Sequence, residues 1–552
     1  MFIFSAMRAI ILQGIRSGLA FLILLSGGCS GEKPGLHPPN ILIILADDMG
    51  YSDLGCFGAE VIRTPNLDRL AGEGLMLTHF YNAARCCPSR ASLLTGLYPH
   101  QAGMGSMADQ EITLDAYAGH LSAHAVTIAD ALKQSGYDTY TSGKWHVGDE
   151  REHWPLKKGF DHCFSFIQGA SSYFSNHPYR NSEWPWSDGT LQTIDDETIF
   201  KYPTDTLIYA TDLYTDHAIR FANMSRSSGN PFFIYLAYTA PHWPLHALPG
   251  DIEKYSGSFD QGWDRLRDQR FENQKELGIM EDDWRLSERD PAVPAWDSLS
   301  SDRRIYYSRL MEVYAAMIDR MDQNIGRLIR HLESNGQLEN TVIFFMSDNG
   351  GCRAESIPYL HDYFSRESPP GSPRSFTAYG EGWANASNTP FRLFKATVHE
   401  GGIASPFIAW NPSLIAPGIV DHTPAHIIDL MPTCLSLAGG EYPDTHDGEW
   451  IHPMEGIDLS PLFSHQEIYR PEPLFFEHHG NEAVLDHGYK LVRRADHPWE
   501  LYRMDTDRTE TNDLIPVAGE QLIADLLSAY RGWESRVGVF PTDMVRKRTI
   551  VP

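Results

Sequence analysis

Cysteine is scarce: the 552 residues contain seven, and no two stand in a Cys-x-x-Cys pair. A zinc ribbon or a dithiol redox motif needs that pairing, and a disulfide scaffold needs far more cysteine per residue, so these classes are excluded. Basic charge is also in deficit. Lys and Arg number 45 against 72 Asp and Glu, a formal net charge of −27. A protein that grips a nucleic-acid backbone needs a basic footprint, so nucleic acid is not an expected partner. After residue 28 there is no run of 18 apolar residues, and nothing in that part is expected to cross a bilayer. No internal repeat is visible. With 42% hydrophobic and 21% charged residues, the composition is that of an ordinary folded protein.

What is present begins with an export signal. Arg8 and Arg16 make a basic start, the apolar run from Leu19 to Leu25 is too short to span a membrane, and Ser26-Gly27-Gly28-Cys29 places small residues before a cysteine. This resembles a bacterial lipobox. The expectation is a lipoprotein-type signal over 1–28 and a Gly/Pro-rich tether over 29–39. It places the protein in the periplasm or at the outer-membrane surface of a bacterium, with membrane contact only through a lipid on Cys29. A plain cleaved signal and an uncleaved anchor are the alternatives.

Strand-like and helix-like segments then alternate. Asn40–Ala46, Tyr137–Ser142, Pro231–Tyr238 and Thr341–Met346 read as buried strands. Thr127–Ser135, Arg304–Glu333 and Ala425–Leu437 read as helices. The fold class is α/β: a large, mostly parallel central sheet flanked by helices over 40–464. A smaller C-terminal α+β subdomain over 465–552 is expected to carry short antiparallel strands near Leu474–His478, Glu482–Asp486 and Tyr489–Val492, then a helix near Glu520–Trp533. Two stretches, Trp154–Pro203 and Cys352–Asn388, look irregular and aromatic. Their Tyr173, Trp184, Trp186 and Trp383 are candidates for stacking on sugar or aryl rings, or for simply packing the loops.

The chemistry-bearing residues sit just past strand ends, where α/β sheets bind ligands. Asp47-Asp48 follow the first strand and Asp348-Asn349-Gly350-Gly351 follow another. Two such oxygen pairs suit a hard divalent cation. Three carboxylates around one cation call for compensating positive groups. Lys144 and His146 lie past one strand, His242 past another, and Lys395 before Glu400-Gly401-Gly402.

The segment Cys86-Cys87-Pro88-Ser89-Arg90-Ala91-Ser92-Leu93-Leu94-Thr95-Gly96 resembles the signature of the formylglycine-dependent sulfatases, a bacterial arylsulfatase-like group in the alkaline phosphatase superfamily. The resemblance extends to Asp47-Asp48, Gly143-Lys144-Trp145-His146, Pro241-His242, Asp348–Gly351, Lys395 and Glu400–Gly402. It also covers Glu477–Leu491 and Trp499–Tyr502. It implies that Cys86, rather than Cys87, is oxidised to formylglycine by a maturation enzyme that reads Pro88 and Arg90. It implies Ca²⁺, with Mg²⁺ second, held by Asp47, Asp48, Asp348, Asn349 and residue 86. By the same resemblance Arg90 steadies the site, Lys144 and Lys395 grip sulfate oxygens, His242 protonates the leaving oxygen with Lys395 sharing that role, and His146 serves as base. The implied activity is hydrolysis of a small sulfate ester or a sulfated polysaccharide. The alternatives are a phosphonate or phosphate monoester hydrolase of the same superfamily, and an inactive glycan-binding surface lipoprotein. One expectation goes beyond the family. Cys87 and Cys352 sit on two loops that must meet at the cation, so a Cys87–Cys352 disulfide would tie them in an oxidising compartment.

Overall fold

Continuous apolar runs make strands that must be covered on both faces, and the computed structural model builds them into one sheet. It describes residues 38–108, 110–174, 192–199, 208–354 and 367–550. The sheet's strands in chain order are β1 (Asn40–Ala46), β2 (Leu75–Tyr81), β3 (Asp138–Lys144), β4 (His162–Phe166), β5 (Gln192–Ile194), β6 (Glu197–Ile199), β7 (Phe232–Ala237), β8 (Thr341–Ser347), β9 (Ala404–Trp410) and β10 (Ile419–Asp421). Their spatial order is β10-β2-β9-β8-β1-β7-β3-β4-β5-β6. The five central strands, β8-β1-β7-β3-β4, are all parallel. β9 runs antiparallel to both neighbours, and β5 and β6 close the far edge as a hairpin.

The pleat of β1 sorts its residues between two apolar layers. Leu42, Ile44 and Ala46 face one; Ile41, Ile43 and Leu45 face the other. The helices used below are α1 (Cys86–Thr95), α2 (Ile128–Gln134), α3 (Ala210–Ser228), α4 (Gly262–Glu276), α5 (Ser301–Ser334), α6 (Gly380–Ser387), α7 (Leu430–Ala438) and α8 (Glu520–Val537). The first layer is covered by α3 and α5, the second by α1, α2 and α7. α5 buries the Leu310, Val313, Met317, Ile318, Met321, Ile325 and Leu328 stripe that its spacing predicts. α2 starts at a capping box, Thr127 with Asp130. No helix among the described residues is long and apolar enough to cross a membrane.

Residues 474–503 form a separate antiparallel meander, β11 (Leu474–His478), β12 (Asn481–Asp486), β13 (Tyr489–Arg493) and β14 (Glu500–Arg503). α8 covers it through Leu526, Tyr530, Trp533 and Val537. The three expected strands are present, joined by a fourth, and the helix runs on to Val537.

Some expectations need correction. The helix expected over Ala425–Leu437 starts at Leu430, because Ala425–His426 pair beside β2 as extended chain. The stretch read as irregular after Trp154 contains β4, a full member of the sheet, and the one after Cys352 contains α6. The remaining parts of those stretches, with Trp184 and Trp186, lie outside the described residues, as do the signal and Cys29.

One glycine is required where β3 meets β7. Gly143 has φ +110, and a Cβ there would lie 1.9 Å from the Ala237 carbonyl oxygen. Backbone cannot yield as a flexible side-chain tip can. Gly143→Ala is therefore expected to destabilise the protein by about 3 kcal/mol or more, whereas Gly136→Ala, at φ +83 with nothing within 4 Å, should lose only about 1 kcal/mol. Equilibrium denaturation of the two variants checks the contrast.

Candidate active site

Parallel strands end on the same edge, so β8, β1, β7 and β3 deliver their following residues to one place. Ala46 pairs with Ser347, Leu45 with Ala237, and Gly143 with Ala237, which brings Asp47-Asp48, Asp348-Asn349 and Lys144 to one level. Asp48 lies at φ 63 and His146 at φ 58, left-handed conformations that turn each chain sharply out of its strand. β9 is antiparallel, so its preceding residues reach the same edge from the opposite direction. Lys395 arrives there between Leu393 and Ala396, both also left-handed, at φ 66 and 73. Its segment is tied down by backbone bonds: Lys395 N–H to Gly351 O at 3.2 Å, Ala396 N–H to Ala84 O at 2.8 Å, and Gly350 N–H to Gly402 O at 3.1 Å.

Three carboxylates meet three cations in this space. Arg90 donates through Nε to Asp348 at 3.0 Å and through a guanidinium nitrogen to the Lys144 carbonyl at 2.9 Å. Lys144 Nζ donates to Asp47 at 2.7 Å, and Lys395 Nζ to Asp48. His242 Nε2 lies 3.4 Å from Asp48 Oδ2, while its Nδ1 faces the Trp243 carbonyl at 2.5 Å. Arg90, Lys144, Asp47 and Asp348 have no exposed surface. Burial pushes Asp348 up to about 7, with Asp47 adding to the rise and Arg90 and Lys144 opposing it. It raises Asp47 as well. Burial also acts on Asp48, but His242 and Lys395 outweigh it and hold that carboxylate below its ordinary range. His242 is pushed down to about 3 by burial, with Lys395 and Lys144 adding and Asp48 opposing. Burial works against the charge on Lys395, yet Asp48 and its neighbours hold its pKa well above the ordinary value.

Cys86 opens α1, a helix buried on every side. Free backbone N–H groups and the positive end of the helix dipole are available there for an anion. The Cys86 thiol is brought well below its ordinary value, first by a hydrogen bond from Cys87, then by Lys144, Lys395 and His146 against the opposing effect of burial. His146 Nδ1 or Nε2 and the Cys86 sulfur lie within 4.8 Å. Its ring fills space left by Gly169, where a Cβ would stand 2.6 Å away.

The donor set fits a hard cation. Asp47, Asp48 and His242 ligand atoms cluster within 4.8 Å. Asp47 Oδ1, Asp48 Oδ2 and Asn349 Oδ1 are buried acceptors with no hydrogen-bond donor, while Asn349 Nδ2 is fixed on Asp48 at 2.7 Å. Orphaned buried oxygens are costly unless a positive group meets them. Oxygen ligands of this kind suit Ca²⁺.

The candidate residues Asp47, Asp48, Cys86, Arg90, Lys144, His146, His242, Asp348, Asn349 and Lys395 thus gather in one contiguous, largely buried cluster. Other expectations do not hold. Cys87 and Cys352 are free thiols. Cys87 turns toward Cys86 and the Ala108 amide, and Cys352 toward Trp243 and Lys395, so no disulfide joins them. Trp383 does not line a rim. It is fully buried against Trp263 and Trp296, and its Nε1 donates to Tyr307 O at 2.7 Å. Tyr173 is buried too, and its hydroxyl donates to the carbonyls of Thr239 and His242, holding the loop that carries His242.

One set of residues was missed. Glu400, five positions after Lys395, sits in a closed cluster of four charges. Lys490 Nζ bonds Glu400 at 2.7 Å and Glu510 at 2.8 Å, Arg508 Nε bonds Glu400 at 2.9 Å, and none of these side chains is exposed. Glu510 accepts from the Glu400 amide at 3.2 Å, and Arg508 also reaches Thr78 O at 2.6 Å. Asn481, in the β11–β12 turn, donates to Ala396 O at 3.1 Å. The C-terminal meander thereby clamps the Lys395 segment. The resemblance took in Glu400 and Lys490 without giving them a role, and Arg508 and Glu510 lay outside it, because Lys and Arg alternating with acids in residues 490–510 look like a solvated surface.

A family model described as Sulfatase matches residues 39–440. An uncharacterized sulfatase of Schizosaccharomyces pombe is 34% identical over 92% of this chain and 96% of its own length. An arylsulfatase of Klebsiella aerogenes is 34% identical over 80% of this chain and 95% of its own. Among solved structures, Ps i-CgsB in complex with k-i-k-neocarrahexaose superposes with a TM-score of 0.66 at 25% identity, covering 91% of this chain and 93% of that one.

The cluster of four charges makes a sharp prediction. Lys490→Met leaves buried carboxylates uncompensated and should destabilise by about 3–5 kcal/mol. Glu510 then has no cation while Glu400 keeps Arg508, so adding Glu510→Gln removes the stranded charge and should restore at least half of that loss. Chemical denaturation of both single variants and the double variant measures it. Full additivity would show that the charges act independently.

Proposed function

Because this chain belongs to the sulfatase family and is a sulfuric ester hydrolase, we propose that it cleaves sulfate monoesters with residue 86 as formylglycine and one Ca²⁺ in the pocket. The observation that carries the reading is the position of Cys86. It stands at the N-terminal end of a buried helix, with Lys144, Lys395 and His146 acting on its side chain and the Asp47–Asp48–Asp348 cluster beside it. Asp47, Asp48, Asp348, Asn349 and the converted residue 86 would hold the cation. When bound, Ca²⁺ supplies positive charge that polarises the attacking oxygen and offsets the charge on the ester.

The remaining work falls to the chain's own groups. Water adds to the aldehyde of residue 86 and leaves two hydroxyls on one carbon. Lys144 and Lys395 grip the sulfate oxygens and the α1 amides face the anion, so that one hydroxyl oxygen attacks sulfur in line. The bond from sulfur to the alcohol oxygen breaks, and that oxygen takes a proton from the His242–Lys395 pair flanking Asp48. Residue 86 then carries a sulfate ester and one hydroxyl. His146 removes the hydroxyl proton, the carbon–oxygen bond to sulfate breaks, and the aldehyde returns. A serine or cysteine ester lacks the second hydroxyl that drives this release. Arg90 fixes Asp348 against the Lys144 carbonyl and so positions both the cation ligands and the sulfate grip.

The burial of Cys86, Pro88 and Arg90 supports modification by a maturation enzyme before folding closes over them. The likeness to Ps i-CgsB, solved with a neocarrahexaose, supports a sulfated glycan as the natural substrate. Export and the Cys29 anchor belong to the same proposal and rest on the signal segment.

Protein made with its maturation enzyme should show residue 86 as aldehyde by mass spectrometry and turn over nitrophenyl sulfate well ahead of nitrophenyl phosphonate. Active protein that retains the thiol at residue 86, or prefers the phosphonate, would sink the proposal. Cys86→Ala should abolish turnover, and His146→Ala should lower kcat by about 10²–10⁴-fold. Chelation followed by dialysis should remove activity, with Ca²⁺ restoring it better than Mg²⁺. His242→Ala should slow an alkyl or sugar sulfate far more than nitrophenyl sulfate, whose leaving group needs no proton; equal losses would remove His242 from the acid role.

A further inference from the structure

Cys87 takes no part in the reaction above, yet its thiol is turned inward to the thiol of Cys86. The two sulfurs and a ring nitrogen of His146 lie within 4.8 Å of one another, and all three residues are buried. The fold holds this trio from two sides. Cys86 and Cys87 occupy the first turn of α1, which is itself buried on every face. His146 is fixed in its left-handed turn by its N–H to Ile167 O at 3.0 Å, after Trp145 N–H to Phe166 O at 2.7 Å, with the ring seated over Gly169.

Two thiolates and an imidazole are a soft donor set, unlike the oxygens of the neighbouring carboxylate cluster. Zinc–sulfur bonds of about 2.3 Å and zinc–nitrogen bonds of about 2.0 Å set ligand-to-ligand edges of roughly 3.5–3.8 Å in a tetrahedron. From separations of no more than 4.8 Å, side-chain movements of at most about 1.0–1.3 Å close the trio to that spacing.

We infer that the chain with Cys86 still a thiol carries a second metal site, in which Cys86, Cys87 and His146 bind one thiophilic cation of the Zn²⁺ or Cu⁺ class, water completing the shell for Zn²⁺. Binding forms two metal–sulfur bonds, and each thiol still protonated loses its S–H proton to solvent. Conversion of Cys86 to the aldehyde removes a ligand and abolishes the site. The second statement rests on the formylglycine reading; the first does not. While the cation is bound, residue 86 and His146 are both withdrawn from chemistry, and the folded, unconverted protein is a metal trap rather than a latent enzyme.

The test uses the full mature chain produced without the maturation enzyme, reduced, with the Cys86 thiol verified by mass spectrometry and excess Ca²⁺ present. Co²⁺ is the probe. One equivalent should give a sulfur-to-cobalt charge-transfer band and tetrahedral d–d bands, both bleached by one equivalent of Zn²⁺. Cys87→Ser and Cys87→Ala should weaken Zn²⁺ binding by at least 100-fold and lose the charge-transfer intensity. Cys352→Ser, which changes a thiol outside the trio, should leave both unchanged. Absence of the band at one equivalent, or its survival in both Cys87 variants, overturns the inference. Protein with the aldehyde at residue 86 should show no band; a band there would overturn the assignment of Cys86 as ligand. Converted Cys87→Ser should keep sulfatase turnover within about threefold. Failure of the sulfatase reading would appear instead as an absent aldehyde or absent turnover, with the cobalt spectra intact.

Discussion

Everything in this site depends on holding three buried carboxylates against three buried cations. Asp47, Asp48 and Asp348 could not share so small a volume on their own, since like charges in a dry pocket repel and burial alone disfavours each. Arg90, Lys144 and Lys395 make the arrangement possible, but only just. Asp348 still sits near 7 and Asp47 is still raised, so the pocket retains capacity for more positive charge. A dication, as proposed, would turn the neutral set into one with a surplus of two, more than enough to offset the single charge of a sulfate monoester. This resolves the conflict between a chain of net charge −27 and an anionic substrate. Surface carboxylates are screened over about 8 Å in physiological salt, while the pocket charges act at bonding distance.

The direction of the strands decides who can contribute. Four neighbouring parallel strands put their C-terminal turns on one edge, so acids from β1 and β8 meet basic groups from β3 and β7 without long loops. Lys395 must come from elsewhere, and the antiparallel β9 supplies it from the approach to its N-terminal end. That approach is irregular chain with two strained, left-handed residues, and such strain persists only where surroundings over-determine it. The C-terminal part provides that surrounding by holding Glu400 through Lys490 of the meander and through Arg508 and Glu510 just after it. A subdomain with no group touching the reaction is thus coupled to it by buried charge.

How much of this could be read in the sequence follows from what is local. Asp47-Asp48 and Asp348-Asn349 were legible because each follows an apolar run whose period marks a strand, and the Cys86 segment because its fixed positions are contiguous. The fold class followed from the same alternation. β2 and β9 went unread because short apolar runs mixed with Thr, His or Ser carry weak periodicity. The charge cluster was illegible because Glu400 is 90 to 110 residues from its partners and each charge alone resembles a solvated one. Trp383 and Tyr173 took the packing reading rather than the stacking one, a choice the sequence left open. Aromatics amid polar residues look exposed until the helix and loop that bury them are in place. The idea that Cys87 pairs with Cys352 failed on side-chain direction, which loop convergence does not determine.

The same long separations order events in time. Arg90 bonds Asp348 across 258 residues and the Lys144 carbonyl across 54. Contacts so distant in sequence form late, because the loops they close must be ordered first. Until they form, α1 has no reason to be buried, since its residues are not patterned for a one-sided amphipathic helix but for complete enclosure. Cys86, Pro88 and Arg90 are therefore exposed only while β8 and β3 have not both docked, which is when the proposed maturation would have to act. Once they have, another protein can no longer reach the thiol, though an ion or small molecule still can, and the groups proposed to serve catalysis surround an unreacted sulfur. On the proposed reading, the enclosure that keeps the site dry enough for sulfuryl transfer would also put a missed modification beyond a maturation enzyme's reach.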